Sequence, residues 1–308
     1  MFVVCGEALF DVFAAGDTPT GMTLDARVGG SPFNVAVGLA RLAQPVSFLS
    51  QVGTGFLGER LMRTLHEEGV NTSTVQRSEA PTTLSLIGLD AKGVPSYSFY
   101  GEGCADRRLT PDALATLPDG VKAINFGSYA TVVGPTAVTQ RMLVEREYQR
   151  TLIAYDPNIR LNVEPDLEVW REQIDWMLPH TQLLKVSEED LQLVVPGTAP
   201  KDFAAQALAQ GVKLVVVTRG GEGALGWTAR HEVSVPPIPV KVIDTVGAGD
   251  TFQCALLTWL AEHDRLSGAA LTALSADDLR DALGFAARAA AITCSRRGAD
   301  MPRRAELQ

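Results

Sequence analysis

The segment KVIDTVGAGDTFQCALLTWL, Lys241 to Leu260, sets two carboxylates on either side of a bare glycine turn where an amphipathic helix begins. Gly247, Ala248 and Gly249 carry almost no side chain, so successive amide N–H groups can face one anion. A helix opening near Asp250–Thr251 adds unpaired N–H groups and the positive end of its dipole. The available chemistry is an anion hole beside a carboxylate able to take a proton. Asp250 can equally be a helix N-cap, and Asp244 the last residue of a strand. Local sequence leaves both readings open.

Two other loops compete for a phosphate. GTGFLG (Gly53–Gly58) fits G-x-G-x-x-G, follows the apolar run VSFLSQV and precedes a helix, with Glu79 placed as a ribose ligand. It is the basis for an NAD-linked oxidoreductase as a rival class. Against it, the loop belongs to the second strand–helix unit and Glu79 lies in a polar stretch; a tight turn feeding a helix accounts for the same glycines. GEGALG (Gly221–Gly226) is followed by the β-like WTARHEVSVPP, so no helix N-terminus awaits a pyrophosphate. There is no G-x-x-x-x-G-K-[ST], hence no P-loop. GGSPFN (Gly29–Asn34) is a further glycine pair before a helix, with Asn34 as a polar contact in a cleft or a cap.

Cys5, Cys104, Cys254 and Cys294 form no CxxC pair, and His66, His180, His231 and His263 are equally scattered. Neither a disulfide framework nor a zinc site is expected; the thiols read as buried apolar groups of a cytoplasmic protein.

These residues need a scaffold. The chain has 308 residues, 46% hydrophobic and 20% charged, with net charge −9. No Lys/Arg block suggests nucleic-acid or membrane-surface binding, and no apolar run is long enough to span a bilayer. The start MFVVCGEALFDVF reads as a first strand rather than a signal peptide. Buried strands are expected at Phe2–Val4, Val46–Gln51, Ala123–Phe126, Leu152–Asp156, Gln182–Val186 and Lys213–Thr218. Helices are expected at Asn34–Leu42, Gly58–Glu68, Thr136–Gln149, Lys201–Gln210, Thr251–Glu262 and Leu279–Cys294. The alternation predicts an α/β fold, a doubly wound and mostly parallel sheet with helices on both faces. Two segments break the rhythm, about 12–28 and 83–107, and read as strands of a small sheet inserted as a lid in a single domain of 1–308.

GGSPFNVAVGLARL (Gly29–Leu42) and DTVGAGDTF (Asp244–Phe252), in that order, together resemble the two signatures of the ribokinase-like sugar kinases, the PfkB family. GEALFDV, DPNIR (Asp156–Arg160), KVSEED (Lys185–Asp190) and VTRGGEGA (Val217–Ala224) extend the resemblance over nearly the whole chain. It implies a ribokinase-like fold and an ATP-dependent kinase in which Asp250 takes the proton of a sugar hydroxyl. The amides from Val246 to Asp250, through Gly247, Ala248 and Gly249, are implied to stabilise the transferred phosphoryl group. The resemblance places Asp11, Gly30 and Asn34 on the sugar, and Lys185, Thr218, Gly220 and Gly223 on the nucleotide. It places Glu188 near Mg²⁺ through water, and Asp244 with Val246 and Cys294–Ala299 around a monovalent cation such as K⁺. Lys185 stands where the family commonly has Asn, and Gly55 where it commonly has Asp.

The S-P-F-N form resembles the fructokinase branch, which implies fructose. The alternatives are 2-keto-3-deoxygluconate kinase, ribokinase or nucleoside kinase activity. In 2-keto-3-deoxygluconate kinases an Arg meets the substrate carboxylate where this chain has Gly101; Arg107, Arg108 and Arg160 remain as substitutes. Phe99 and Tyr100 are candidates for an apolar wall, with Tyr100 and Arg160 counted among the substrate contacts. A non-catalytic sugar sensor is the third class, and the intact Asp250 and glycine turn argue against it. A homodimer paired through the lid is the expected assembly, as is common in the family.

Overall fold

In chain order the elements are β1 (Phe2–Cys5), β2 (Leu9–Thr18), β3 (Gly21–Gly29), α1 (Ser31–Arg41), β4 (Val46–Gly53), α2 (Phe56–Glu67) and β5 (Val75–Ser78). Then come β6 (Thr83–Leu89), β7 (Pro95–Tyr100), β8 (Ala123–Gly127), α3 (Thr136–Glu147), β9 (Leu152–Asp156), α4 (Leu167–Met177) and β10 (Leu183–Ser187). The chain continues through α5 (Glu188–Val194), α6 (Pro200–Ala209), β11 (Leu214–Thr218), β12 (Ala224–Trp227) and β13 (Glu232–Val235), and closes with α7 (Ala248–Glu262), α8 (Gly268–Thr272) and α9 (Ala276–Cys294). This is a computed structural model, and it describes residues 1–89 and 95–307. Residues 90–94, inside the second expected lid segment, lie outside the described residues.

Successive residues of the central strands go to opposite sides. Phe2 and Val4 of β1 join one apolar core, Val3 and Cys5 the other. Leu214 and Val216 of β11 divide from Val215 and Val217 in the same way. Strands buried on both faces must be apolar throughout, which is why these six runs were legible. The order β13-β12-β11-β10-β9-β8-β1-β4-β5 makes a nine-stranded sheet. From β11 to β5 it is parallel, and β12 and β13 are added antiparallel. Residues of α1, α2, α7, α8 and α9 fill the first core; α3, α4, α5 and α6 fill the second.

The sheet that breaks the rhythm has the order β3-β2-β6-β7. Its strands cover Leu9–Thr18, Gly21–Gly29, Thr83–Leu89 and Pro95–Tyr100, close to the expected segments. Residues Ala105–Arg107 have left it for a single 3-10 turn, where Thr83 and Tyr129 donate hydrogen bonds to the Asp106 carboxylate at 2.5 and 2.7 Å.

Helix α7 departs from the amphipathic expectation. Eleven of its fifteen residues are buried, so it is a core helix covered by both α1 and α9. Gly38 of α1 permits the contact, since a Cβ there would lie 2.4 Å from Cys254 Sγ. Among the described residues no helix is long and apolar enough to cross a membrane.

Candidate active site

The GAGD turn resolves the ambiguity over Asp250. The residue preceding α7 is Gly247, in the left-handed region at φ 76° and ψ 1°. Asp250 is therefore inside the first helical turn rather than its N-cap, and its carboxylate is free to face α1. Ser31 Oγ donates to Asp250 Oδ1 at 2.6 Å, and Asn34 Nδ2 donates to Oδ2 at 2.9 Å. Ser31 and Asn34 are three apart in α1, so they share one helix face. Pro32 suits the first turn, where its missing N–H is not needed. Burial raises the affinity of Asp250 for its proton; the hydrogen bonds from Ser31 and Asn34 and the charges of Lys185 and Arg160 oppose the rise.

Of the five amides expected to face an anion, two are already used. Val246 N–H donates to Asp244 Oδ1 at 3.1 Å, and Ala248 N–H turns onto the Thr245 carbonyl at 3.2 Å. Ala248 is thus corrected from an anion-facing donor to a turn residue. The amides of Gly247, Gly249 and Asp250 have no acceptor among the described residues. Gly247 could not be replaced without strain: a Cβ would lie 2.5 Å from that of Ala299. Asp244 Oδ2 accepts from Gly298 N–H at 2.8 Å, so this carboxylate ties the turn to Cys294–Ala299, and those segments do come together.

Beneath the turn, Lys185 of β10 is buried and donates to Asp156 Oδ2 at 2.6 Å. A Cβ on Gly249 would lie 3.1 Å from Lys185 Nζ, so the ammonium sits close against the Gly249 backbone. Asp156 Oδ1 has no hydrogen-bond partner among the described residues. Removing either half of so buried an ion pair costs about 3–5 kcal/mol, because the other charge is stranded.

These groups line a cleft of about 940 Å³ between the carboxyl ends of the parallel strands and the small sheet, the position where open α/β sheets bind ligands. Asp11, Gly30, Asn34, Arg160, Lys185, Asp244, Gly247, Gly249 and Asp250 all line it. Burial pushes Asp11 up to about 6, against the Ser85 hydroxyl that stabilises its ionised form. Arg160 reaches the cleft with its own Ile159 carbonyl as a hydrogen-bond partner.

Tyr100 does not line the cleft. It is 59% exposed, because alternate strand residues face opposite ways and it is Phe99 of β7 that turns inward. Phe99 packs edge-on against Tyr129 with centroids 5.4 Å apart. The Arg107 guanidinium lies over both rings, 5.2 Å from Phe99 and 5.5 Å from Tyr129. It fills the space over Gly101, whose Cβ would be 2.7 Å from Arg107 Nη2. Arg107 therefore braces the wall from behind, Arg108 is exposed, and Arg160 alone of the three enters the cleft.

Thr218, Gly220, Gly223 and Glu188 do not line this cleft. They lie beside it at the carboxyl ends of β10 and β11, where Ser187 and Thr218 are in register. Gly223 is needed there: at φ 88° its Cβ would meet the Val235 carbonyl at 2.1 Å. Glu188 is half-buried at the start of α5; Asp190, two residues on, is buried and pushed up to about 6 by burial and by the charge of Asp156. Two of the glycines of GTGFLG serve backbone packing: a Cβ on Gly58 would fall 1.8 Å from the Gly53 carbonyl and one on Gly53 2.5 Å from the Ala80 carbonyl, and the loop is absent from the cleft.

Sequence reasoning missed Ser31, Glu7, Ser85 and Ser128 among the lining residues. The signal for Ser31 was its helical spacing from Asn34. Nothing local marked the others.

The model of the pfkB family carbohydrate kinases matches residues 1–305. A fructokinase of Rhizobium leguminosarum bv. trifolii is 34% identical over 281 residues, covering 91% of this chain and 86% of that protein. The probable fructokinase-4 of Arabidopsis thaliana is 32% identical over 289 residues, covering 91% and 86%. Among solved structures, the Xylella fastidiosa fructokinase with bound ATP superposes with a TM-score of 0.89 at 27% identity, over 99% of this chain and 96% of that one. A Vibrio cholerae fructokinase in a fructose, ADP and calcium ion bound form gives 0.80 at 26%, over 99% and 97%. With its two signature segments meeting at one carboxylate, and its whole length matched, the chain belongs to the pfkB family of carbohydrate kinases.

Proposed function

We propose that the protein transfers the γ-phosphoryl group of ATP to a hydroxyl of fructose. The observation that carries the reading is Asp250, fixed by Ser31 and Asn34 next to three unpaired amides and a buried ammonium. Asp250 accepts the hydroxyl proton as that oxygen bonds to the γ-phosphorus; the bond from phosphorus to the β–γ bridging oxygen breaks, and ADP leaves. The amides of Gly247, Gly249 and Asp250, with Lys185, meet the charge on the equatorial oxygens. Asp11, Gly30 and Asn34 hold the sugar, Phe99 forms an apolar wall, and Thr218, Gly220 and Gly223 take the nucleotide side. The small sheet acts as the lid that excludes water.

Among the described residues no group of three acidic, His or Cys side chains could cage a metal. That suits Mg²⁺ carried on the nucleotide, which keeps several waters and takes only one or two protein carboxylates. Glu188 would hold it through water, and the unpartnered Asp156 Oδ1 welcomes a nearby cation. The ion's contribution is to neutralise phosphate charge. Asp244, drawn against Gly298, would anchor a monovalent cation such as K⁺ beside the turn. Exposed apolar residues on the small sheet, Met22, Leu24 and Tyr100, support a homodimer formed through it.

Fructokinase relatives favour fructose, whereas Arg160 in the cleft favours an acidic sugar such as 2-keto-3-deoxygluconate. An ADP-release assay over fructose, ribose, 2-keto-3-deoxygluconate and nucleosides decides between them. Fructose is expected to give the highest kcat/KM, and turnover confined to the acidic sugar would reject the reading.

A further inference from the structure

Glu7 follows β1, where the chain leaves the large sheet for β2. It is 1% exposed and lines the cleft, yet its Oε2 has no hydrogen-bond partner among the described residues. Orphaned buried polar atoms are rare, and each calls for an explanation. The surroundings hold it firmly. Gly30 rests on the Glu7 carbonyl, with a Cβ there falling 2.8 Å from the oxygen. Ser128 faces it from the end of β8, itself held at the uncommon φ of 58°.

We propose that Glu7 is a substrate-binding residue whose carboxyl pairs with one hydroxyl of the bound sugar. The inference rests on the sugar-kinase reading of the cleft. The titratable and charged groups facing Glu7 are Cys5 on its own strand, Asp106 from the turn after β7, Tyr129 after β8 and Arg160 after β9. Burial pushes the Glu7 carboxyl up to about 8, with Asp106 adding to the rise and Ser128 and Arg160 opposing it. At neutral pH the group is therefore protonated and offers a donor as well as acceptors, the combination a hydroxyl matches. Above about pH 8 it ionises and the donor is lost.

Steady-state kinetics of wild type, Glu7→Gln and Glu7→Ala, from about pH 6 to about pH 9.5, test this. Wild-type KM for fructose should rise at the alkaline end. Glu7→Ala should raise that KM about tenfold or more with the KM for ATP unchanged. Glu7→Gln, which keeps a donor and an acceptor, should stay within about threefold of wild type at neutral pH and lose the alkaline rise. A series of monodeoxy fructoses completes the cycle: one deoxy position should weaken binding to wild type but not to Glu7→Ala. An unchanged fructose KM in Glu7→Ala, as an ordered water on Oε2 would give, overturns the proposal; so does a KM for ATP that moves in step. If circular dichroism finds Glu7→Ala unfolded, Glu7→Gln decides alone, and a retained alkaline rise overturns it. A wild type inert toward fructose refutes the sugar assignment instead, and the Glu7 comparison then runs on the sugar the panel identifies.

Discussion

Asp250 is pulled in two directions: burial favours its proton, and Ser31, Asn34, Lys185 and Arg160 favour its charge. The net rise makes it a stronger base than a solvated aspartate, provided it is ionised when the sugar arrives. Asp250→Asn should lower kcat by about 10²–10⁴-fold, the usual reach of general-base catalysis, with the KM for sugar and ATP within a few-fold of wild type. Turnover near the wild-type rate removes it as base. In wild type, kcat/KM should fall toward acid with an inflection above the ordinary aspartate value, because protonation removes the base. At this scale the sequence was informative where a residue type was unusual for its setting. A carboxylate after a glycine turn, or an amide after a glycine pair, invites a reason. Ser85 and Ser128 invite none, since serine is at home in strands and loops alike.

The turn before α7 works because its backbone is held open by neighbours on both sides. Gly247 adopts a left-handed conformation, Asp244 draws in Val246 and Gly298, and Ala299 closes over Gly247. Gly247→Ala adds a left-handed strain of about 1–2 kcal/mol and a contact with Ala299 that must be relieved by moving the turn. The expected result is a fold retained by circular dichroism, a melting temperature lower by several degrees and kcat reduced at least about tenfold. Unchanged kcat would show that the amides do not need this conformation. Several helices proved to open earlier than their apolar spacing indicated: α1 at Ser31, α7 at Ala248 and α9 at Ala276. The first turns of α7 and α9 carry small or acidic residues rather than an apolar stripe, so periodicity detects them late. In α1, Pro32 and Phe33 are already buried, and apolar spacing placed its start three residues too late. Short α5, with few buried positions, gave no pattern at all, and α4 was likewise not expected. The inward choice of Phe99 over Tyr100 was illegible for a related reason: alternation fixes that they face apart, but only register fixes which faces in.

Across the whole molecule, two cores on opposite faces of one sheet leave the small sheet attached along a single side, with β3 and β7 as its edges. Met22 and Leu24 are 62% and 49% exposed there. Sedimentation should therefore find a dimer, and Met22→Lys with Leu24→Lys should convert it to monomer; a monomeric wild type refutes pairing through this sheet. The parallel order of the large sheet was implicit in the strand–helix alternation, whereas the antiparallel addition of β12 and β13 was not. A β-like stretch such as WTARHEVSVPP does not itself say which strand it pairs with. Asp250 and Asn34 stand 216 residues apart in the chain and meet only when α7 packs on α1. During synthesis, α1 emerges long before the helix that covers it, and its apolar face must wait. A ribosome-bound chain lacking α7 holds Ser31 and Asn34 without the carboxylate they position, so the cleft is complete only when nearly the last helix has been made.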